Sequence, residues 1–289
     1  MDWVNAVIQG VLLGGQYALL AAGLSLIFGV MRIVNLAHGV LAVTAAFLAL
    51  WLTQHTPLPA FLTLVVVVPV FVGVGYLLHR SLFSAALEQG ELATLLVTFG
   101  LAVILTNLLQ ETFSANSRSI PVGELSTTSI RLGGGLSVGV FSLISLVVGV
   151  AVIAGIQLFL ARTRSGRAMR ATSDDPEAAR LMGIDDRHIY ALATAIAIGT
   201  VALAGVFLGM STQFTPAYGD LVLIFAFEAV IMGGLGSLWG TLAGGIMLGV
   251  AQTLGAQVEP AYGVLVGHLV FLAVLLARPS GLLPKVQAA

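Results

Sequence analysis

Long apolar runs alternate with short polar stretches along the whole chain. A helix needs about 20 mainly apolar residues to cross roughly 30 Å of hydrocarbon, and runs of that length recur throughout. The pattern predicts nine hydrophobic helical segments, at residues 5–30, 36–53, 60–79, 92–112, 137–160, 190–212, 220–235, 238–256 and 261–277. The short connection GGLGSLWG joins the seventh and eighth segments, so one of them is expected to be a half-span or a re-entrant helix. We therefore predict an all-α polytopic transmembrane bundle with eight or nine spans, including broken or re-entrant half-helices.

The composition agrees with a membrane protein and excludes several other classes. Of 289 residues, 58% are hydrophobic and only 9% are charged, against roughly 25% in soluble domains. A net charge of -1 excludes a basic nucleic-acid surface, and the lack of cysteine excludes disulfides and cysteine-ligated metals. The single lysine, Lys285, follows no glycine-rich turn, so the chain has no phosphate-binding P-loop. Five isolated histidines form no metal-binding motif, so no metal site is expected.

The positions of the basic residues predict the orientation. Loop 161–189 carries six arginines and should be cytoplasmic, because cytoplasmic loops of membrane proteins are enriched in basic residues. Counting outward through nine spans places ten basic residues on that side and two opposite, at Arg118 and Arg131. The chain is then one transmembrane domain over residues 1–289, with its N-terminus outside, its C-terminus inside and loop 113–136 external. A re-entrant segment would move the N-terminus to the other side.

Polar side chains within the apolar segments are candidates for a substrate path. Asn35, His38 and Gly39 lie in RIVNLAHGVL, at the start of the second segment. If that helix begins inside the bundle, its N–H groups could face a substrate carboxylate; the alternative is an Asn35 cap at the cytoplasmic surface and a His38 bond to a backbone carbonyl. Glu228 is flanked by apolar residues on both sides, which marks either a functional site or a brace beside Arg32 or His38.

Glycines recur at a spacing that suits close helix packing. Small residues four apart let helix backbones approach closely in lipid. The ladder Gly236, Gly240, Gly244 is the strongest such pattern and predicts a tight helix–helix contact.

The cytoplasmic loop contains a short capped helix. In SDDPEAARLMGI, Asp175 suits the N-cap, Pro176 the first helical position and Gly183 a left-handed end, while Glu177 lies at the positive end of the helix dipole. The predicted helix of about two turns has Ala178, Leu181 and Met182 on one face. That face either lies on the protein's own helices or the lipid surface, or it docks into a groove on a cytoplasmic partner.

Several stretches resemble a known family. PEAARLMGI is similar to the E-A-A-x-x-x-G signature of ATP-binding-cassette importer permeases, with Glu177, Ala178, Ala179 and Gly183 at matching positions. GLSLIFGVMRIVNLAHG, ATSDDPEAARLMGID and FEAVIMGGLGSLWGTLAGG resemble blocks of the permease subunit of high-affinity branched-chain amino acid importers, a family that includes urea and short-amide permeases. The similarity runs from about residue 11 to 283. That family is usually read as having eight spans.

The resemblance implies a transport subunit rather than an enzyme. It implies a multi-pass protein of the bacterial inner (plasma) membrane that translocates Leu, Ile or Val, with two cytoplasmic ATPase subunits, a periplasmic binding protein, and a related second permease or a second copy. ATP and Mg would bind the ATPase subunits, and this chain would hold no cofactor. A coupling helix would contact the ATPase through Asp175, Glu177, Ala178, Ala179, Leu181, Met182 and Gly183. The alternatives are a urea or short-amide permease and, in another class, an ion-coupled secondary transporter that uses Glu228.

Overall fold

The computed structural model describes residues 2–126, 128–133 and 136–283. Lys285 and three positions of the predicted external loop lie outside these residues. Within them the chain is a helical bundle with one small hairpin. The helices are α1 (Asp2–Met31), α2 (His38–His55), α3 (Leu64–Leu78), α4 (Ser84–Glu88), α5 (Glu91–Phe113), α6 (Val140–Arg162), α7 (Arg164–Asp174), α8 (Pro176–Leu181), α9 (Asp186–Ser211), α10 (Tyr218–Gly233), α11 (Leu238–Val258) and α12 (Tyr262–Ala277).

Each of the nine predicted apolar segments contains a helix, but they differ in length. Six helical stretches among the described residues are long and apolar enough to cross a membrane: Trp3–Met31, Ala60–Glu88, Glu91–Phe113, Val140–Arg162, Asp186–Ser211 and Leu238–Val258. The helices α2, α10 and α12 have 18, 16 and 16 residues. The third segment is longer than predicted, because short 3-10 and π turns extend α3 at both ends and join it to α4. The protein is therefore an all-α, multi-pass membrane protein.

Burial divides the bundle into a centre and a periphery. The apolar windows of α1 and α9 are 72% and 83% buried, whereas those of the α3 stretch, α5 and α6 are only 22%, 17% and 22% buried. Apolar side chains that face outward are stable in hydrocarbon, so low burial in an apolar helix indicates lipid or another transmembrane subunit. The centre of the protein is thus built from α1 and α9, with α2, α10 and α11 packed around them.

Glycines allow α1 and α11 to pack backbone against backbone. A methyl group at Gly14 would collide with Ile246 of α11, and one at Gly249 would collide with Gly10 of α1. The predicted ladder divides into two parts. Gly240 and Gly244 face α10, where added methyl groups would collide with Gly233 and Ala229, respectively. Gly236 lies outside the helices, in the α10–α11 turn, with a φ of 79° that favours glycine.

The two polar loops lie at opposite ends of α1. At its N-terminal end, the Gln9 side chain donates to the Ser137 carbonyl, 2.7 Å away, in the hairpin β1 (Ser129–Gly133) and β2 (Leu136–Gly139). This antiparallel pair lies at the end of loop 113–136, the loop predicted to be external. At the other end of α1, Ser173 of α7 donates to the Gly29 carbonyl, 2.6 Å away. The hairpin and the loop that carries α7 are therefore at opposite ends of the bundle.

Candidate functional site

The helix α2 begins inside the bundle rather than at its surface. The chain leaves α1 at Met31, turns at Arg32 with a φ of 56°, and runs back as a non-helical segment to His38. A methyl group at Gly23, about two turns before the end of α1, would lie 3.1 Å from the His38 ring. Asn35 and His38 have no exposed surface, whereas Arg32 is exposed. This helix therefore starts in the interior, as in one of the two alternatives, while His38 bonds a backbone carbonyl, as in the other.

A second helix starts at the same place. The chain leaves α9 at Ser211, runs back through residues 212–217 and begins α10 at Tyr218. A methyl group at Gly39 would collide with the Gly219 carbonyl oxygen, and one at Gly219 would lie 2.8 Å from Val40 Cα. The first turns of α2 and α10 are therefore in backbone contact within the protein.

The two helix starts also resemble each other in sequence and conformation. Ala37, His38 and Gly39 correspond to Ala217, Tyr218 and Gly219. The backbone angles before the helices are nearly equal, with φ and ψ of −78° and −2° at Ala37 and −79° and −6° at Ala217. The sequence analysis missed α10's contribution. The Ala-His-Gly and Ala-Tyr-Gly triplets are only a weak signal for it, because Ala261-Tyr262-Gly263 begins α12 in the same way.

Two buried polar atoms at this junction have no partner within the part of the chain that the structure describes. Asn35 Oδ1 accepts from the Ala37 N–H at 3.0 Å, so Asn35 closes the turn before α2 rather than capping α2 itself. His38 Nε2 lies 2.8 Å from the Leu20 carbonyl oxygen and donates to it, which leaves Nδ1 as an acceptor. Among the described residues, neither Asn35 Nδ2 nor His38 Nδ1 has a hydrogen-bond partner. Buried polar groups are normally paired, so this junction has donor and acceptor capacity for a polar ligand.

Glu228 belongs to a different cluster from the one expected. It lies neither in a pair with Arg32 nor in one with His38; its Oε1 is 2.5 Å from His268 Nδ1 of α12. Nearby, the Tyr17 hydroxyl donates to Gln252 Oε1 at 2.6 Å. These four side chains join α1, α10, α11 and α12 in the membrane interior. Sequence analysis missed His268 because a lone histidine in an apolar segment does not indicate its partner.

This cluster also has unused polar capacity. Within the described chain, Glu228 Oε2 and Gln252 Nε2 have no hydrogen-bond partner, and both residues are buried. The Glu228 side chain is 6% exposed and that of His268 is 37% exposed, so the pair reaches the outer face of α12. No three His, Asp or Glu side chains of the described residues come together as a metal site requires.

The capped helix predicted in loop 161–189 is α8, with six residues. Asp175 accepts from the N–H groups of Glu177 and Ala178, both at 3.0 Å, and Gly183 has a φ of 82°. Ala179 is buried on the protein side, so it positions α8 and does not face outward. Leu181 and Met182 are 88% and 83% exposed.

An ion pair fixes the far end of α8. The Arg180 side chain contacts Asp186 at the start of α9, with an N–O distance of 2.6 Å. The hydrogen bond to Asp186 raises the pKa of the Arg180 guanidinium. Caps at one end and this contact at the other hold a short helix that would be marginal in isolation.

Comparisons with known proteins agree on one family. Residues 6–275 match the family described as branched-chain amino acid transport system, permease component. The high-affinity branched-chain amino acid transport system permease protein BraD of Pseudomonas aeruginosa is 31% identical over 308 residues, covering 99% of this chain and 97% of that protein. The permease protein LivH of Salmonella typhimurium is 27% identical, with the same coverage. A probable LivH of Methanocaldococcus jannaschii is 29% identical over 91% of this chain and 87% of its own length. No solved structure matches.

Proposed function

The chain belongs to the family of branched-chain amino acid transport permeases, and from this premise we propose that it forms the translocation path of an ATP-binding-cassette importer for Leu, Ile and Val. Separate cytoplasmic ATPase subunits supply the energy, and they hold the ATP and Mg. A periplasmic binding protein delivers the substrate. A second permease subunit completes the path in the bacterial inner membrane. In this arrangement α2, α10 and α12 cross the membrane together with the six longer stretches.

The observation that carries this proposal is the exposed end of α8. Leu181 and Met182 are 88% and 83% exposed, on a rigidly capped helix next to a loop rich in arginine. Large apolar side chains held rigidly in water favour a protein partner, and such side chains dominate binding when they fill a pocket. A groove on an ATPase subunit suits them. Asp175, Glu177, Ala178 and Gly183 shape the helix that presents them, and Ala179 anchors it.

The junction of α2 and α10 suits a substrate that carries a carboxylate. Helix N-termini have a partial positive charge and free N–H groups, and in transporters such ends face anionic substrate groups at the membrane midplane. The unpaired amide nitrogen of Asn35 adds a donor, and His38 Nδ1 can accept from an ammonium group. Asn35, His38 and Gly39 are therefore proposed as part of the path. Urea or a short amide would use the same polar groups without needing the helix charge.

The Glu228–His268 pair supports one function of another class. An ionisable pair within the membrane is a feature of proton-coupled carriers. The two classes separate in proteoliposomes that contain only this chain. Accumulation of leucine driven by a proton gradient without ATPase subunits would establish the carrier and contradict the importer.

Substitutions at the exposed end of α8 test the importer directly. We expect Leu181→Asp and Met182→Asp each to weaken binding of the ATPase subunits by about tenfold or more, because loss of a buried apolar anchor costs about 2 kcal/mol. The measurement is the amount of ATPase copurified with the permease from membranes, together with ATP-driven leucine uptake.

Leu125→Asp is the matched control, since Leu125 is an exposed leucine at the opposite end of the molecule. It should leave ATPase recovery unchanged. Normal recovery of ATPase with both α8 variants would contradict the proposed docking role.

A further inference from the structure

A cavity lies at the cytoplasmic end of α1, away from the helix starts and the Glu228 cluster. It has a volume of about 180 Å³ and lies between α1, α6, α7 and the first turn of α11. Its apolar walls come from Leu26, Val30, Leu160, Met169 and Trp239. Its polar lining includes Ser25, Gln157, Arg170, Ser173 and Ser237. None of the functions above uses it.

The cavity is at the level where lipid headgroups meet hydrocarbon. Three apolar stretches that are long enough to span a membrane contribute only their cytoplasmic end turns, with Val30 from α1, Leu160 from α6 and Leu238 from α11. Trp239 is 45% exposed at the same level, and tryptophan is enriched at membrane interfaces. The outer face of α6 is exposed and apolar, as Leu158 shows at 55%. The cavity therefore lies beside the inner leaflet.

The cavity offers hydrogen-bonding groups of which one, in the described chain, has no partner and another only a long contact. Ser25 is fully buried, and its hydroxyl has no hydrogen-bond partner among the residues described. Arg170 makes one long contact, 3.4 Å, to the Ala161 carbonyl, and it is in no ion pair with a described carboxylate. Ser237 caps α11 by accepting from the Gly240 N–H at 3.2 Å, so the positive end of that helix faces the same space. These groups together favour an anion.

The lining decides which kind of anion fits. No aspartate or glutamate lines the cavity, so the ammonium group of a cytosolic amino acid would have no charged partner there. An anionic head joined to an apolar chain matches both the donors and the apolar walls. Arg162, Arg164 and Arg167 are close to Arg170 along the chain, and clusters of basic residues at the cytoplasmic surface attract acidic lipids. We propose that this cavity binds the headgroup of an anionic phospholipid from the inner leaflet.

Binding there would act on the cytoplasmic loop. The cavity wall formed by Met169, Arg170 and Ser173 belongs to α7, which leads through Asp175 directly into α8. At its other end α7 is pressed against α6, because a methyl group at Gly166 would collide with the Phe159 carbonyl oxygen. A lipid headgroup bound between α1, α7 and α11 therefore restricts the movement of α7 and of the first residues of α8. This inference does not depend on the identity of the transported substrate.

The test measures lipid retained by the purified complex. The full complex is reconstituted in nanodiscs of phosphatidylcholine with phosphatidylglycerol, then released from the nanodiscs and analysed by native mass spectrometry. We expect phosphatidylglycerol to be retained on the wild-type protein. Arg170→Gln should reduce this retention about fivefold, because it removes one contact between a basic side chain and the acidic lipid. Ser25→Ala, which removes the buried hydroxyl without adding any atom, should reduce retention as well.

Arg118→Gln is the control, because it removes the same charge at the opposite end of the molecule and should leave retention unchanged. Equal retention in wild type and Arg170→Gln, or equal retention of phosphatidylcholine and phosphatidylglycerol, would overturn the proposal. Loss of ATPase subunits with unchanged lipid would instead assign Arg170 to the protein interface. A failed α8 interface would show as lost ATPase with normal lipid, so the two proposals fail separately.

Discussion

Replacing Gly39 by valine should nearly abolish transport. Even the first carbon of a side chain at Gly39 would collide with the Gly219 carbonyl oxygen and lie 2.9 Å from Leu223 Cβ. These neighbours are backbone and the stem of a side chain, so they cannot move aside independently of α10. Overpacking of this kind costs about 1–3 kcal/mol, and we expect uptake to fall about tenfold to a hundredfold. The measurement is leucine uptake by proteoliposomes that contain the assembled transporter.

Gly39→Ala gives an intermediate step, and Gly73→Ala gives a matched control in α3, where nothing lies within 4 Å of the added methyl group. The control should transport normally. Monodisperse elution on size exclusion shows whether a variant has folded, so loss of uptake can be assigned to the junction. Wild-type uptake by folded Gly39→Val would mean that α2 and α10 are not in contact during transport.

Replacing Glu228 by alanine should be the most destabilising change among the polar residues of the membrane interior. The carboxylate bonds to His268 at 2.5 Å, and its removal leaves that imidazole without its partner in hydrocarbon. Breaking a buried pair from one side costs about 3–5 kcal/mol, and the partial exposure of His268 places this case near the lower value. The measurement is the midpoint of thermal unfolding of the purified protein.

A double-mutant cycle separates the pair from its surroundings. Glu228→Ala and His268→Ala should be less than additive when combined, because residues in contact couple by about 0.5–3 kcal/mol. Glu228→Gln keeps an oxygen that can accept from His268 and should be the mildest of the substitutions. Strict additivity of the two alanine variants would show that the pair does not interact in the membrane.

The sequence was sufficient to predict the apolar helical segments, because their formation depends mainly on their own residues and on the surrounding lipid. All nine apolar segments are helical, because the length of an apolar run and the need to satisfy backbone groups in lipid are local properties. The caps of α8 were predicted for the same reason, because Asp175 and Gly183 affect only the backbone of residues close to them in the sequence. The resemblance to branched-chain amino acid permeases is likewise shown by the comparisons.

The contacts between distant residues could not be predicted. Glu228 and His268 are on different helices, and the apolar sequence around each one is compatible with many partners. The role of Gly236 was predicted from its spacing, but spacing does not distinguish a helix position from the turn that precedes it. The number of crossings was also open, because α10 and α12, at 16 residues each, are shorter than the hydrocarbon thickness requires of a straight helix.

The contact between Gly39 and Gly219 limits how a passage can open at that point. Where side chains close a channel, rotation about their bonds can widen it within nanoseconds. At this point main chain lies against main chain, since the Gly219 carbonyl oxygen and the Val40 backbone are the nearest neighbours across the contact. Any widening must therefore separate two whole helices, together with the non-helical segments at residues 32–37 and 212–217 that lead into them. Such collective motions take microseconds to milliseconds, so separating the two helices here is far slower than rotating a side chain.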